Sequence, residues 1–369
     1  MSFLDCSPSV FVIGNEYEIL LNLTEHGLVS LEVGEDVYYE ENSGALPTER
    51  TIVKIRLPQS ALDAARHYRV VFRKAIDRKA YFSELEPPIA EEFDFSPLPT
   101  EGEVNIYFTA DVHYQFESAA MAASYFCDKL NLLIAGGDLG EVETDENYLE
   151  VCRFLARITG GRLPILFFRG NHDTRGRLAE RFTDYFPANG KKTYFSFDLG
   201  RFAGVVLDCG EDKPDAHREY GKYNGAAVYN GTNIFERFRR SETVFLKNLT
   251  LPEGKPLLAF SHICPVMTTS HPGDIFDIER DVYSEWNREL ERMGIDVMLT
   301  GHLHRFLLLE PGDERSTLPH NYPVLVGAEL QSYKKAFGTA ITLTEEGMTY
   351  RMTDEEHNVL SEGRIPFKK

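Results

Sequence analysis

The stretch ILFFRGNHD, residues 165–173, is the most informative part of this sequence. An apolar run, Ile165 to Phe168, ends in the polar sequence Gly170-Asn171-His172-Asp173. A short apolar run bounded by glycine is typical of a buried strand, and in α/β sheets ligands bind beyond the carboxyl ends of the strands. The stretch therefore predicts a central strand with metal-binding side chains at its end.

Four other apolar runs end in the same kind of polar sequence. The runs are 107–110, 132–136, 257–260 and 297–300, and they lead into Asp111-Val112-His113, Gly137-Asp138, Ser261-His262 and Gly301-His302-Leu303-His304. Each motif alone is weak, because an aspartate at the end of a strand often caps a helix or a turn. Together they place carboxylate, amide and imidazole groups at successive strand ends in a chain with 11 histidines. The five motifs predict one site at the carboxyl edge of a sheet.

Around these motifs, from about residue 104, short apolar runs alternate with longer helical stretches such as 116–130 and 146–159. This alternation is typical of an α/β fold. Two segments, 210–240 and 264–281, interrupt it and are too long for ordinary connections. Long inserts beside strand ends are often lids, and for 210–240 a binding lid and a solvent-facing loop are equally compatible with the sequence.

Before residue 95 the pattern is different, with period-two alternation in short runs separated by Gly, Asn or Pro. Tyr68, Val70 and Phe72 would face a core, while the residues between them face the other way. A segment rich in proline and acidic residues, 87–99, follows and suits a linker. We therefore predict a small all-β sandwich over residues 1–98 and a second domain over residues 99–369.

The overall composition excludes several classes of protein. Apolar residues make up 43% and charged residues 26%, as in soluble globular proteins, and no apolar run approaches the roughly 18 residues of a membrane helix. The net charge of -19 makes nucleic acid and membrane surfaces improbable partners. Five scattered cysteines without a C-x-x-C pair predict reduced thiols, and the lack of an early basic and apolar leader predicts a cytoplasmic protein.

The five motifs, in this order, resemble those of the calcineurin-like metallophosphoesterases, whose series runs D-x-H, G-D, G-N-H-[DE], a lone H and G-H-x-H. The resemblance covers roughly residues 104–353. It implies an α/β (α+β) fold, namely a four-layer αββα sandwich, here preceded by a small fibronectin- or immunoglobulin-like sandwich as in purple acid phosphatases. It also implies two metal ions. Asp111, His113, Asp138 and His304 would hold the first, and Asp138, Asn171, His262 and His302 the second.

The residue types agree with this metal chemistry. Imidazole, carboxylate and amide donors without thiolates suit Mn, Fe, Zn, Co or Ni better than Ca or Mg, without choosing among them. A single carboxylate such as Asp138 can bridge two ions about 3.5–4 Å apart, and two ions on one water supply hydroxide for attack on phosphorus. The resemblance makes His172 the proton donor to the leaving alkoxide, beside the catalytic Asp138 and Asn171. A purely structural hydrogen bond is the alternative role for His172.

The sequence departs from the motifs of two subfamilies of these phosphoesterases, and this narrows the range of subfamilies that it resembles. The related protein phosphatases carry G-D-x-x-D-R-G, whereas this chain has GDLGE at residues 137–141. Glu141 either orients His172 in place of the missing aspartate or is an exposed loop residue. Purple acid phosphatases have a metal-binding tyrosine at the position of Glu141 and lack the equivalent of His113, so we expect a colourless enzyme.

These observations predict a dinuclear metal-dependent phosphoesterase that acts as a phosphatase or phosphodiesterase on a small phosphoester. A nuclease of the same superfamily is one alternative, disfavoured by the net charge of -19 and by the lack of a Lys/Arg cluster beside the motifs. A non-catalytic scaffold is another, disfavoured because none of the seven expected metal ligands is missing. No feature of the sequence identifies a protein partner.

Overall fold

The computed structural model describes residues 2–141, 143–215, 229–267 and 278–368. The candidate lids, 210–240 and 264–281, therefore lie partly outside the described residues. The strands are β1 Ser9–Ile13, β2 Glu16–Asn22, β3 Gly27–Val33, β4 Asp36–Tyr38, β5 Ile52–Pro58, β6 His67–Arg78, β7 Ser83–Leu85, β8 Ile89–Asp94, β9 Val104–Thr109, β10 Leu132–Ala135, β11 Pro164–Phe167, β12 Phe195–Leu199, β13 Phe202–Val206, β14 Leu257–Phe260, β15 Val297–Thr300, β16 Leu307–Leu309, β17 Val324–Val326, β18 Glu329–Gln331, β19 Lys335–Leu343, β20 Gly347–Thr353 and β21 Val359–Pro366. The α-helices are α1 Gln59–Ala65, α2 Phe116–Ala123, α3 Asp145–Thr159, α4 Phe182–Tyr185, α5 Phe235–Asn248 and α6 Arg280–Met293.

Two large sheets carry the strands that end in the five motifs. The first has the order β21-β20-β19-β9-β10-β11-β1-β2-β5, with β18 paired to β19, and the second has the order β12-β13-β14-β15-β17-β16. In the first sheet β9, β10, β11 and β1 run parallel, and in the second β13, β14, β15 and β17 do. Parallel strands end at the same edge, so the polar residues after β9, β10 and β11 are brought side by side.

The two sheets pack face to face and share one apolar core. Phe168, which follows β11 in the first sheet, has its ring 5.8 Å from that of Phe260 in the second. On the outer faces, α2 and α3 cover β10 and β11, while α5 and α6 cover β14 and β15. Apolar residues recur with helical spacing along α6, where the buried Tyr283 and Trp286 pack together. The predicted four-layer αββα sandwich is confirmed.

Helix α3 shows how local sequence sets the ends of these covering elements. Its N-cap Thr144 accepts a hydrogen bond from the backbone N–H of Asn147, and Asp145 and Glu146 in the first turn complement the helix dipole. Gly160 ends the helix in the left-handed conformation that glycine adopts without strain. The helix can therefore bury one face on the sheet and begin immediately after the loop that carries Asp138.

The first 98 residues form the predicted sandwich of two β-sheets, with the short helix α1 between β5 and β6, but one of the two layers extends the large sheet. A five-stranded sheet of β3, β4, β6, β7 and β8 packs its apolar residues into the same core as β1, β2 and β5. Strand β1 in turn pairs in parallel with β11, through Val10 with Pro164 and Phe11 with Ile165. The division into residues 1–98 and 99–369 remains a prediction, and hydrogen bonds of the large sheet cross it.

Two smaller expectations can be compared with the structure. All five cysteines are free thiols. Within the described ranges, no helix is both long and apolar enough to cross a membrane.

Candidate metal centre

The predicted site residues lie together where the strands of both sheets end. Asp111 and His113 follow β9, Asp138 follows β10, and Asn171 and His172 follow β11. From the second sheet, His262 follows β14, and His302 and His304 follow β15. Eight side chains from five separate strand ends thus form one cluster. None of the predicted site residues lies away from it.

The backbone at this cluster is strained. Five of the predicted ligands have positive φ angles between 44° and 68° although none is glycine: Asp111, His113, Asp138, His302 and His304. A non-glycine residue in this region costs about 1–3 kcal/mol, and such residues concentrate at functional sites. The loop before Asp138 also requires glycine, since Gly137 has φ 80° and a Cβ there would overlap the backbone of Gly170. The fold therefore maintains conformations that these loops would not adopt alone.

The first group of ligand atoms comes from Asp111, His113 and His304, whose nitrogen and oxygen atoms lie within 4.8 Å of one another. His304 Nε2 is 3.4 Å from Asp111 Oδ1, and His113 Nε2 is 3.8 Å from Asp138 Oδ2. Asp111 is completely buried and accepts hydrogen bonds from the backbone N–H of His302. These contacts hold its carboxylate in place while leaving it directed toward the histidines.

The second group consists of Asp138, His262 and His302, also within 4.8 Å. His262 Nε2 is 3.1 Å from Asp138 Oδ2, and its other nitrogen, Nδ1, is 2.6 Å from the carbonyl oxygen of Gly136. A histidine whose Nδ1–H is held by a carbonyl presents Nε2 to a metal, as is usual in metalloproteins. Asn171 Oδ1 completes the group at 3.0 Å from His302 Nδ1.

Two observations test whether a cation fits this cluster. His113 Nε2 is buried and has no hydrogen-bond partner among the described residues. Asn171 Oδ1 lies 3.3 Å from the carboxylate oxygen Oδ2 of Asp138, so that two acceptor atoms face each other. Turning the amide over would satisfy this contact in a purely hydrogen-bonded site, whereas a cation would favour the orientation with Oδ1 inward. The donor set and its geometry fit divalent metal ions.

The packing of carboxylates against imidazoles shifts several pKa values. Burial alone would lower the pKa of His262, but the carboxylates of Asp138 and Asp111 outweigh it and raise the pKa to about 10. Burial, together with the charge of His262, lowers the pKa of His302 to about 4. Burial opposes ionisation of Asp138, yet the neighbouring histidines, His262 first, hold its pKa well below the usual range. The carboxylates thus stabilise positive charge at His262, and metal ions compete with protons for such groups.

His172 lies at the edge of the cluster and is fixed from two sides. Its backbone N–H donates a hydrogen bond of 2.8 Å to Asp138 Oδ1, and its ring packs edge-on against His113 at 4.7 Å between centroids. Arg175 Nη1 lies 3.1 Å from His172 Nε2, and Glu141 Oε1 lies 3.6 Å from Nδ1. The imidazole lies outside the two groups described above, but with His113 and Asp138 it forms a third group of potential ligand atoms within 4.8 Å of one another.

A family model described as calcineurin-like phosphoesterase matches residues 104–306, more than half of the chain. The chain belongs to the calcineurin-like phosphoesterases. This agrees with the order and placement of the five motifs, all of which lie between Asp111 and His304. No curated protein matches the sequence significantly.

Two solved structures resemble this phosphoesterase over nearly its whole length. The purple acid phosphatase PPD1 from yellow lupin (Lupinus luteus) seeds is 12% identical, with a TM-score of 0.61, over 98% of this chain and 74% of that one. A structure of PhoD is also 12% identical, with a TM-score of 0.57, over 98% of this chain and 89% of that one. At such low identity the likeness shows the fold alone, and both similarities extend across the N-terminal sandwich.

Three residues of the phosphoesterase site were not predicted from the sequence: Arg175, Asp173 and Tyr333. Arg175 forms a bidentate ion pair with the buried Glu211, at 2.7 and 2.6 Å, and so is held against His172. The only feature of the sequence that points to Arg175 is its position three residues after His172. Asp173 is buried and accepts hydrogen bonds from the backbone N–H groups of Asp138 and Gly170.

The third missed residue is Tyr333, between β18 and β19. Its ring packs edge-on against His304 at 5.5 Å and against His113 at 6.0 Å, yet 67% of the residue is exposed. It lines a cavity of about 400 Å³ together with ligand residues and with Ile263, Met267 and Leu303. No motif marks Tyr333, because it lies 29 residues after His304 and reaches the site only through a hairpin.

Proposed function

We propose that this chain is a dinuclear metal-dependent phosphoesterase that hydrolyses a small phosphomonoester or phosphodiester. The observation that carries the proposal is the grouping of the ligand atoms. Asp111, His113 and His304 form one set, and Asp138, His262 and His302 form another, with Asp138 close enough to His113 to join both. Family membership supports the reaction class, and the ligand grouping supports two ions rather than one.

The residues of the chain have distinct tasks in this proposal. Metal ions held by the two groups would lower the pKa of a water and neutralise charge that develops on the phosphoryl oxygens. The strained loops hold Asp111, Asp138 and the histidines ready, so that little reorganisation is needed when the substrate binds. His172 lines the same cavity and is available to protonate the leaving oxygen. Arg175 and Glu211 restrict its ring to one place.

The shape of the cavity supports a small substrate. Its volume of about 400 Å³ suits a phosphoryl group with part of an organic group, and the apolar side chains of Ile263, Met267, Ile278 and Leu303 line it beside the ligands. The donor types support Mn, Fe, Zn, Co or Ni as the metals. A cytoplasmic location remains a prediction, and the five free thiols agree with it.

Metal analysis of the purified protein, followed by assays with phosphomonoesters and phosphodiesters, tests the proposal. We expect about two transition-metal ions per chain and hydrolysis that is lost with a chelator and restored by Mn²⁺ or another of the five metals. A chain that binds two ions but hydrolyses none of these esters would favour the scaffold alternative. A chain that retains full activity after complete metal removal would contradict the proposal.

A further inference from the structure

A second, larger cavity adjoins the metal centre and carries the opposite charge to the whole molecule. Its volume is about 1510 Å³. Six cationic side chains line it: Arg169, Arg175, Arg177, Lys191, Lys213 and Arg237. Among the described residues that line it, the only carboxylates are Glu180 and Asp184, in a protein whose net charge is -19. Such a local excess of positive charge is a site that attracts anions.

Three of these cations are already neutralised within the protein. Arg169 Nη2 lies 2.7 Å from Asp208 Oδ2, and Arg175 is paired with Glu211. Lys213 Nζ lies 2.5 Å from Asp212 Oδ1. These pairs build the wall of the cavity, and they do not by themselves account for a binding site.

The other three cations have no such partner. Arg177, Lys191 and Arg237 are exposed, and within the described ranges none of them forms an ion pair with a carboxylate. Like charges placed around one cavity repel one another, and solvent weakens this repulsion where the side chains are exposed. An anionic ligand in the cavity would offset the repulsion that remains.

The buried Arg169 forms part of the cavity wall, where its guanidinium packs against aromatic rings. Arg169 is about nine-tenths buried, and its guanidinium lies 5.2 Å from the ring of Phe182 and 5.6 Å from that of Phe235. Its Nε–H has no hydrogen-bond partner among the described residues, which is unusual for a buried guanidinium. Aromatic rings and a rigid planar cation together favour a ligand with both anionic and apolar parts.

Arg175 lies between this cavity and the smaller cavity at the metal centre. Arg175 lines the cavity and at the same time contacts His172 and Asp212, both of which line the smaller cavity at the metal ligands. A leaving group that extends from the metal ligands past His172 and Arg175 would reach the cations of the larger cavity. No run of basic residues marks this cavity in the sequence, because its cations are spread from Arg169 to Arg237.

We infer that this cationic cavity binds an anionic group on the leaving-group side of the substrate. The substrate class is then a small phosphoester whose leaving group carries at least one further phosphate or carboxylate. This inference rests on the proposed phosphoesterase function, and it specifies the substrate of that site. A small anion is favoured over nucleic acid because the cations line a cavity rather than an extended surface, and the molecule as a whole is strongly acidic.

Anion binding to the metal-free protein tests the cavity without using activity. Pyrophosphate is titrated calorimetrically into chelator-treated, dialysed protein, in which the acidic metal ligands would repel anions. We expect binding that weakens about fivefold or more in Arg177→Ala and in Arg237→Ala, and that weakens further as ionic strength rises. Arg288→Ala is the matched control, since Arg288 is an exposed arginine on α6 outside the cavity lining, and it should bind as the unaltered protein does.

Absence of pyrophosphate binding, or equal affinity in all three variants, would overturn the inference. A short single-stranded oligonucleotide that binds more tightly than pyrophosphate would also overturn it, in favour of the nuclease alternative. Thermal unfolding of each variant shows that it is folded. Because Arg177 and Arg237 are exposed, replacing either by alanine should change the midpoint of thermal unfolding little.

Hydrolysis by the metal-loaded protein separates this inference from the proposed function. The ratio of kcat/KM for a nitrophenyl ester to kcat/KM for an ester whose leaving group carries a phosphate is measured in each variant. We expect Arg177→Ala and Arg237→Ala to shift that ratio about fivefold against the charged leaving group, and Arg288→Ala to leave it unaltered. An active enzyme with an unshifted ratio would contradict the cavity assignment alone. Pyrophosphate binding without any hydrolysis would contradict the proposed function and leave the cavity as an anion site.

Discussion

Asp138 is the residue on which both ligand groups depend. It is buried, it lies close to His113 of one group and to His262 of the other, and it is held at φ 53°. We predict that Asp138→Ala removes hydrolysis and lowers the metal content to one ion or none per chain, measured by elemental analysis. Glu141→Gln changes a half-exposed carboxylate three residues away and should retain both ions. Full metal occupancy in Asp138→Ala would refute the bridging role.

His172 can be separated from the ligands by the choice of substrate. If it protonates the leaving oxygen, His172→Ala should retain both metals and lose about 10²- to 10⁴-fold in kcat on an alkyl phosphate. The loss should be much smaller on a nitrophenyl ester, because nitrophenolate leaves without protonation. Equal losses on both substrates, with metal content intact, would indicate that His172 stabilises the phosphoryl oxygens instead.

At the residue scale, the sequence was informative where chemistry is tied to a short motif. The ligand candidates could be predicted because each follows an apolar strand directly, so that residue type and position reinforce each other. Arg175 and Asp173 could not be assigned, since their environments depend on Glu211 and on the backbone of Asp138, which come from other strand ends. A buried carboxylate and a helix-capping one look the same in a sequence.

At the scale of elements, the hairpin of β18 and β19 shows how strain is used to position a side chain. A hydrogen bond from the N–H of Lys334 to the carbonyl of Gln331 closes its turn, and Ser332 and Tyr333 both have positive φ, at 52° and 54°. This is the pattern of a type I′ turn, which normally takes Asn-Gly. Serine and tyrosine are unfavourable at these two positions, but the turn places the Tyr333 ring edge-on against His113 and His304.

Because of this strain, we predict that one substitution at Tyr333 stabilises the protein and at the same time reduces its activity. Tyr333→Gly should raise the free energy of unfolding by about 1 kcal/mol, measured in denaturant, because glycine adopts positive φ freely. It should also lower kcat/KM, because the ring that forms one wall of the cavity is lost. Ser332→Asn, the matched control, relieves strain at the neighbouring position and retains the ring, so it should stabilise the protein without reducing activity. A Tyr333→Gly protein that is less stable, or fully active, would contradict this account.

The elements around the site differed in how far they could be predicted. Strands β9, β10 and β11 follow from apolar runs with clear boundaries, and the helices between them follow from spacing and caps. The partner of β1 could not be predicted, because it pairs with β11, about 150 residues further along the chain, and a parallel pairing of that separation leaves no local signal.

At the scale of the whole molecule, the pairing of β1 with β11 determines how independent the first 98 residues are. Val10, Phe11 and Val12 are completely buried, and the ring of Phe11 packs 5.9 Å from that of Phe167 on β11. Each such apolar side chain contributes about 1.5–3 kcal/mol when fully buried. The two regions are therefore expected to depend on each other for stability, even though a proline-rich segment joins them.

Cutting the connection in the intact protein tests this dependence directly. A protease site introduced at residues 100–102, which are exposed, would allow cleavage after folding is complete. We expect the two fragments to elute together in size-exclusion chromatography without denaturant and to retain the metal ions, because the cut breaks no strand. A chain beginning at residue 99 and expressed alone should be insoluble or unfolded, since it would expose β11 as an unpaired, apolar edge. If instead the fragments separated and residues 99–369 retained metals and activity, the sandwich would be an independent domain and the β1–β11 contact would contribute little to stability.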